Sequence, residues 1–298
     1  MIYLLLTILM NIGLFLSFRS FTKFGINTLN AIVINYLVCV ITGVLLYGRT
    51  IQANIQILSE PWISFPVILG VFFMATFYLM ALTTQKYNVA VATITSKMSM
   101  LIPVLFGLYV FHFDNARFTM LNFLGLAFAV LSIVLCSRRR KDNKTRIWDG
   151  KYLLFLPAVV FIATGCIDTS INYINAYLIT PSQKPLIPVI VFLTAFLAGI
   201  ILLLAKREKI RIKDVIGGIY LGIPNFFSLY FLMFSLTWLN NNGAVLYPIL
   251  NVGIIVSSTL ASLLIFKEKL IKPNIIGLIL SLVAIFLISY QDIISYFS

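Results

Sequence analysis

The sequence predicts an all-α membrane protein with ten transmembrane helices, arranged as two inverted five-helix repeats around a central cavity. Apolar residues make up 61% of the 298-residue chain, and charged residues make up only 10%, against about 25% in ordinary soluble domains. The apolar residues form ten long runs, and the basic residues fall almost entirely in the short breaks between them. This composition excludes a disordered chain and a soluble globular domain.

Each predicted span approaches the roughly 20 apolar residues that a helix needs to cross the hydrocarbon core of a bilayer. The runs lack the period-2 alternation of barrel strands. The first run lacks the basic start and the small-residue cleavage site of a signal peptide. The ten predicted spans cover residues 2–18, 28–48, 62–84, 88–111, 119–136, 152–176, 187–205, 215–239, 243–266 and 274–290.

The basic residues are distributed unequally between the two faces of the predicted protein. Of the 22 Lys and Arg residues, 18 fall in the breaks after spans 1, 3, 5, 7 and 9, and 3 fall in the other breaks. We call the first of these the basic-loop face. Because cytoplasmic loops carry the excess of positive charge, we predict that this face is cytoplasmic and that both termini lie outside. These topology signals also account for the net charge of +13, so nucleic-acid binding is not expected.

The basic linker 138–151 divides the ten spans into a first repeat, 1–137, and a second repeat, 152–298. Five spans is an odd number, so the two repeats insert with opposite orientation. The segment "GLAFAVLSIVL" (125–135) parallels "GLILSLVAIFL" (277–287) near the end of each repeat. Secondary transporters are often built from inverted repeats, with the ligand site near the midplane between them.

These features resemble the EamA-like family of the drug/metabolite transporter superfamily over essentially the whole chain. The best-matching segment has Glu268 at the acidic position of the family, and Asp114 is its displaced equivalent in the first repeat. The resemblance implies a bacterial inner-membrane carrier of small metabolites that works by alternating access. The segments that carry it are "FKEKLIKPNIIGLILSLVAIFLI" (266–288), "FHFDNARF" (111–118), "SKMSMLIPVLF" (96–106), "GCIDTSINY" (165–173) and "GIPNFFSLYFL" (222–232).

Two charged residues lie deep within predicted spans, Lys97 in span 4 and Asp168 in span 6. An isolated charge at the bilayer centre costs at least about 2.5–3.5 kcal/mol on insertion scales. We therefore expect both residues to border a cavity or to face each other. In the functional interpretation, Lys97 binds an anionic group, and Asp168 binds an ammonium group or a coupling proton. Together they suit a zwitterion such as an amino acid, or another organic ion.

The alternative interpretation is a purely structural ion pair between Lys97 and Asp168 in a membrane scaffold or receptor that transports nothing. A polar stripe favours a cavity beside Asp168, because polar groups in a membrane helix must avoid lipid. This stripe on span 6 consists of Gly165, Asp168, Asn172 and Asn175, at the spacing of one helix face.

Pro-Asn at 224–225 and Pro-x-x-Asn at 248–251 predict broken or kinked helices that face the interior, because each proline removes a backbone hydrogen bond. Tyr247 precedes the second motif. The predicted substrate-binding residues are Lys97, Asp168, Asn172, Asn225, Tyr247 and Asn251.

The sequence holds no pattern typical of an enzyme. His112 is the single histidine, which excludes a zinc-protease motif, and no phosphate-binding loop, dinucleotide fingerprint or nucleophile elbow occurs. We expect no metal or cofactor; the expected partners are a small-molecule substrate and the lipid bilayer.

Small residues at Gly218 and Gly222, and at Ser258 and Ser262, predict close helix contacts within the chain rather than between copies. The oligomeric state is left open.

Overall fold

The computed structural model describes residues 2–109, 119–136, 149–180, 182–238 and 243–297. Within these ranges the chain is helical and contains no strand. Segments 111–118 and most of the linker 138–151, which include His112 and Asp114, lie outside the described residues. The helices are α1 (Ile2–Phe24), α2 (Thr28–Ala53), α3 (Ser64–Lys86), α4 (Val89–Met98), α5 (Leu101–Tyr109), α6 (Met120–Cys136), α7 (Asp149–Tyr173), α8 (Leu186–Lys206), α9 (Ile212–Trp238), α10 (Gly243–Ile265) and α11 (Lys272–Phe297).

Eight stretches of the described chain are long and apolar enough to cross a membrane, and they lie in α1, α2, α3, α7, α8, α9, α10 and α11. The apolar stretches Val89–Pro103 and Met120–Cys136 are shorter. Large apolar side chains cover the outer surface, among them Leu45 at 78% exposed and Leu264 at 79% exposed. Exposed apolar area on this scale marks a surface that contacts lipid. The all-α membrane fold is therefore supported, and the count of ten spans remains a prediction.

Predicted span 4 is a broken helix, whereas the sequence pattern indicated one continuous helix over 88–111. The break falls at Ser99 and Met100, between α4 and α5. Pro103 has no N–H group to donate to the carbonyl oxygen of Ser99. That oxygen instead accepts a shorter-range hydrogen bond from the N–H of Ile102, at 3.0 Å. The chain therefore turns at the depth of Lys97.

Pro224 and Pro248 do not interrupt their helices. Pro224 lies inside α9 and Pro248 inside α10, so neither helix is broken there, and the alternative of a kink at these sites stays a prediction. Pro224 leaves the carbonyl oxygen of Tyr220 without its usual partner. The hydroxyl of Ser17 on α1 donates to the carbonyl oxygen of Gly13 at 2.7 Å and lies 3.5 Å from the freed oxygen of Tyr220. The loss of this one hydrogen bond does not break α9.

Close glycine contacts join α2 to α9 and α3 to α8. A Cβ atom on Gly222 would lie 2.7 Å from the side chain of Val38 and 3.0 Å from the carbonyl oxygen of Asn35. This contact within one chain confirms the role predicted for Gly222, and α2 packs equally closely on Gly218. Gly70 on α3 makes the same kind of contact with Val191 and Thr194 on α8. The two glycines are 152 residues apart, and their partners, Asn35 with Val191 and Val38 with Thr194, are 156 apart.

Reciprocal hydrogen bonds join α6 to α11. The side-chain amide of Asn122 donates to the carbonyl oxygen of Ile288 at 2.8 Å, and that of Asn274 donates to the carbonyl oxygen of Cys136 at 2.8 Å. Residues 122 and 274, and residues 136 and 288, differ by the same 152 positions. Gly125 and Gly277 have this separation too, and each contacts the other helix of the pair. The contacts therefore follow the register in which the two sequence segments align.

Candidate functional site

The helix break places Lys97 and Asp168 at opposite helix ends. Lys97 lies in the last turn of α4, where the helix dipole favours a positive charge. The hydroxyl of Ser99, just before α5 begins, lies 3.2 Å from Oδ2 of Asp168, and its single hydrogen is shared between that oxygen and the carbonyl oxygen of Ser96, which is 2.5 Å away. A helix N-terminus favours a negative charge. Both charges are therefore stabilised by the ends of the broken helix, and both side chains are half-buried.

Lys97 and Asp168 do not form a direct ion pair. Among the described residues, the ion pairs with a nitrogen–oxygen distance within 4.0 Å are Arg19–Glu268 and Arg211–Asp214. The ammonium group and the carboxylate still interact electrostatically. They form two separate half-sites of opposite charge rather than a closed pair. This arrangement differs from the structural ion pair of the alternative interpretation.

Asn11 on α1 is the side-chain partner of Lys97. Nζ of Lys97 donates to Oδ1 of Asn11 at 3.0 Å, and Nδ2 of Asn11 donates to the carbonyl oxygen of Thr7 at 2.9 Å. Asn11 is not among the site residues predicted from the sequence. It is a single amide in an apolar run, and no pattern within its own helix distinguishes it from a packing residue.

Asn251, a predicted site residue, contacts the break itself. Its side-chain amide lies 3.3 Å from the carbonyl oxygen of Lys97 and 2.9 Å from the sulfur of Met100. Asn251 therefore satisfies backbone at the end of α4. Nearer the start of α4, the hydroxyl of Ser258 donates to that of Thr93 at 3.1 Å. Both bonds attach α4 to α10.

Tyr247 and Asn172 are both exposed. Tyr247 is 37% exposed, and its phenol is within electrostatic range of the Asp168 carboxylate. Asn172 is exposed one helical turn beyond Asp168. The side chain of Asn175, the next residue of the predicted stripe, lies outside the described residues. Gly165 faces the side chain of Ile102 on α5, so this part of the stripe serves packing.

Asn225, the remaining predicted site residue, belongs to the interface between α2 and α9. Its amide donates to Oδ1 of Asn35 at 3.1 Å and to the sulfur of Cys39 at 3.5 Å. The side chain is 4% exposed. These bonds attach it to α2 rather than to Lys97 or Asp168. The structure therefore places Asn251 against the break beside Lys97 and places Asn225 apart.

Two small cavities in the described part of the protein lie away from the charged residues. One, of about 110 Å³, lies between α3 and α7, and a smaller one lies between α2, α8 and α9. Neither is lined by Lys97 or Asp168. The central cavity therefore remains a prediction. The residues that line the larger cavity are Phe65, Ile68, Leu69, Phe72, Cys166, Ile167 and Ser170.

A polar cluster joins helix ends at the basic-loop face. Nε of Arg19 on α1 lies 2.8 Å from Oε1 of Glu268. Oε2 of Glu268 accepts a hydrogen bond from the N–H of Val89, the first residue of α4, at 3.1 Å. Arg19 also donates to the carbonyl oxygen of Gln85 on α3, and Gln85 donates to the hydroxyl of Thr28 on α2. We call these five residues the seal; it joins four helices of the first repeat to a loop of the second.

Local backbone strain helps to place Glu268 inside this seal. Its neighbour Lys267 has a φ of 51°, in the left-handed region that residues other than glycine rarely adopt. The Glu268 side chain is only 3% exposed. Burial raises the pKa of Glu268 above its ordinary value, and the nearby Arg19 guanidinium and Val89 N–H lower it by a smaller amount.

Comparisons with known proteins give limited information about this chain. The sequence matches no protein-family profile. An uncharacterized protein of Haemophilus influenzae is 25% identical over 227 residues, which cover 75% of this chain and 74% of that protein. A crystal structure of another protein is similar over 97% of each chain, with a TM-score of 0.61 and 12% sequence identity. That similarity shows a shared fold and nothing about activity.

Proposed function

We propose that the chain is a secondary transporter that moves a small metabolite across the bacterial cytoplasmic membrane by alternating access. The observation that carries this proposal is the separated pair of charges at the break of span 4. Discontinuous helices near the midplane form the ligand sites of many transporters, because their ends present charge and free backbone groups. A zwitterion such as an amino acid complements half-sites of opposite sign. A proton at Asp168 is the coupling ion that these residues favour.

Alternating access is supported by the difference between the two repeats. In the first repeat, α1, α3 and α4 pack against one another, and the seal joins their ends at the basic-loop face. In the second repeat, the described parts of the equivalent helices α7, α9 and α10 make little or no contact with one another. A difference in packing between the two repeats is what one state of an alternating-access cycle requires.

The reciprocal contacts support the proposal of two inverted repeats, 1–137 and 152–298. The α6–α11 bonds and the glycine contacts of α3 and α9 recur in both repeats at constant separations of 152 and 156 residues. A duplication related by a two-fold axis produces such pairs. The proposed duplication also agrees with our proposals that the chain belongs to the EamA-like family, that its basic-loop face is cytoplasmic and that its termini lie outside.

Uptake by the purified chain in proteoliposomes tests the transport proposal. The probes are radiolabelled amino acids, supplied one at a time with and without an inward proton gradient. We expect Asp168→Asn and Lys97→Met each to abolish the flux of the transported amino acid, while both variants still insert. Lys209→Met, which removes an exposed charge of the basic-loop face, is the matched control and should transport normally.

Three outcomes are informative. Normal flux in both charge variants overturns the assignment of the site. Loss of folding in each single variant, restored in the double variant, establishes the structural ion pair instead. Absence of flux for every amino acid with or without a gradient excludes the zwitterion class and directs the same assay to organic anions and cations.

A further inference from the structure

Lys97 lies between the first helices of the two repeats. It is on α4, which packs against both α1 and α7. Its ammonium donates to Asn11 on α1 at 3.0 Å, and it interacts electrostatically with Asp168 on α7 without reaching it. Opposite charges attract strongly in a medium of low dielectric constant. Something in the site must therefore hold them apart.

The orientation of the Asn11 amide meets this requirement. Nδ2 of Asn11 donates to the carbonyl oxygen of Thr7 at 2.9 Å. If the amide were turned around, its oxygen would face another carbonyl oxygen, and both would lack a hydrogen. Oδ1 of Asn11 must then point toward Lys97, which is a donor only. On the other side, Asp168 has its own neutral partner in the hydroxyl of Ser99 at 3.2 Å.

We propose that Asn11 is a positioning residue that holds the Lys97 ammonium away from Asp168 and so keeps the two half-sites open. Without the Asn11 oxygen, the ammonium loses its neutral partner and closes onto the carboxylate. A ligand would then have to break a direct ion pair before it could bind. Only the binding of a ligand between the half-sites rests on the proposed function. The separation of the two charges is a property of the unliganded chain.

The reactivity of the Lys97 amine measures this separation without any ligand. The full-length protein in detergent is treated with formaldehyde and cyanoborohydride, and methylation at Lys97 is followed by mass spectrometry, normalised to the exposed Lys209. In Asn11→Leu we expect the rate at Lys97 to fall about tenfold, because a hydrogen bond between charged groups exceeds one to a neutral amide. In Asn11→Leu/Asp168→Asn the rate should return to the wild-type value or exceed it.

Asn54→Leu is the matched control. Asn54 is half-buried like Asn11, and its amide donates to the carbonyl oxygen of Thr50 four residues earlier, at 3.0 Å. Its substitution should leave the Lys97 rate unchanged. A reduced rate in Asn11→Leu that the second substitution fails to restore indicates general structural damage and overturns the positioning role. So does a rate in Asn11→Leu that is unchanged or raised.

This test and the transport test fail independently. Normal flux in Asp168→Asn and Lys97→Met would overturn the proposed function but would leave the methylation result intact. If transport of an amino acid is established, Asn11→Leu should raise KM for that amino acid more than it lowers the maximal rate. A purely structural role would instead lower the maximal rate through loss of folded protein.

Discussion

Glu268 is the residue through which pH acts on the seal. Its buried carboxylate holds both Arg19 and the N-terminus of α4. Because burial raises its pKa above the ordinary value, the folded chain takes up a proton at a pH where the unfolded chain is still ionised. This group therefore favours folding as pH falls. The seal, which needs the ionised form, weakens over the same interval.

We expect the seal to open as pH falls through the raised pKa of Glu268. In the double variant Cys166→Ser/Thr93→Cys, the rate at which a thiol reagent labels the cysteine at the buried position 93 should rise as pH falls. This rate is compared with the labelling rate of a cysteine introduced in place of the exposed Lys209. When Glu268→Gln is added, the cysteine at position 93 should be labelled about tenfold faster or more at every pH, since the loss of one partner of a buried ion pair costs about 3–5 kcal/mol. Glu208→Gln on the same face is the control. A pH response that survives in Glu268→Gln would assign the effect to another group.

The residues of the site differ in how readily they can be predicted from the sequence. Lys97 and Asp168 could be predicted because a charge in an apolar run is costly and stands out. Asn11 could not be predicted, since its partner is 86 positions away. Arg19 was interpreted as a topology signal, because a basic residue near a span end is usually solvated there. The buried carboxylate of Glu268 lies next to Arg19 only in the folded structure, so the sequence does not indicate this ion pair.

At the scale of the helix, α4 and α5 are attached to residues 152–298 at two points. The first half-helix begins at Val89, whose N–H donates to Glu268. The second begins after Ser99, whose hydroxyl lies 3.2 Å from Oδ2 of Asp168. Each half-helix therefore starts at a carboxylate from residues 152–298, where the helix dipole favours negative charge. Neutralisation of Asp168 would remove the negative charge at the start of α5 and leave the attachment through Glu268 unchanged.

The break in span 4 was not predictable from the local sequence. No glycine lies between Lys97 and Pro103, and the lysine and two serines of "SKMSMLIP" do not by themselves end a helix. The proline four residues after Ser99 indicates only that one hydrogen bond is missing. The same signal occurs at Pro224, where a hydroxyl from α1 approaches the freed carbonyl oxygen and the helix continues. Tertiary contacts decide between the two outcomes.

The contact between α2 and α9 should not tolerate a methyl group at Gly222. The added Cβ would lie 2.7 Å from the side chain of Val38 and 3.0 Å from a backbone oxygen. We expect Gly222→Ala to lower the free energy of unfolding by about 1–3 kcal/mol, the usual cost of overpacking. Gly48→Ala has no neighbouring atom within 4 Å and should instead be neutral or stabilising by about 0.5–1 kcal/mol, because alanine favours helix.

Thermal unfolding of both alanine variants in one detergent measures this difference. Equal midpoints for Gly222→Ala and Gly48→Ala would show that α2 and α9 can separate at little cost. The conclusion that close packing between α2 and α9 stabilises the fold would then be wrong.

At the scale of the whole molecule, the distribution of basic residues predicts orientation. A reporter fused after Ser298 should give a signal outside the cytoplasm, and the same reporter inserted in the 206–213 loop should give a cytoplasmic signal. The physical reason is that 18 of 22 basic residues occur on one face. A cytoplasmic signal at the C-terminus would contradict the predicted topology, even if the fold and the site are unchanged.

The all-helical membrane character was predictable from composition, because long apolar runs without period-2 alternation can satisfy their backbone groups in lipid only as helices. Helix bounds agree closely with the predicted spans for α3, α6, α8 and α10. The relative placement of the helices was not readable. That Asn225 packs against α2, while Asn251 reaches the helix break, depends on which face each helix presents to its neighbours.

The crossed amides of Asn122 and Asn274 bear on how the protein is assembled. The last helix of each repeat finds its acceptor on the last helix of the other, so neither repeat completes this contact by itself. Covalent continuity through the linker is then not what keeps the two pieces together. Residues 1–137 and 152–298, synthesised as separate polypeptides in one cell, are expected to recognise each other and to restore the intact bundle.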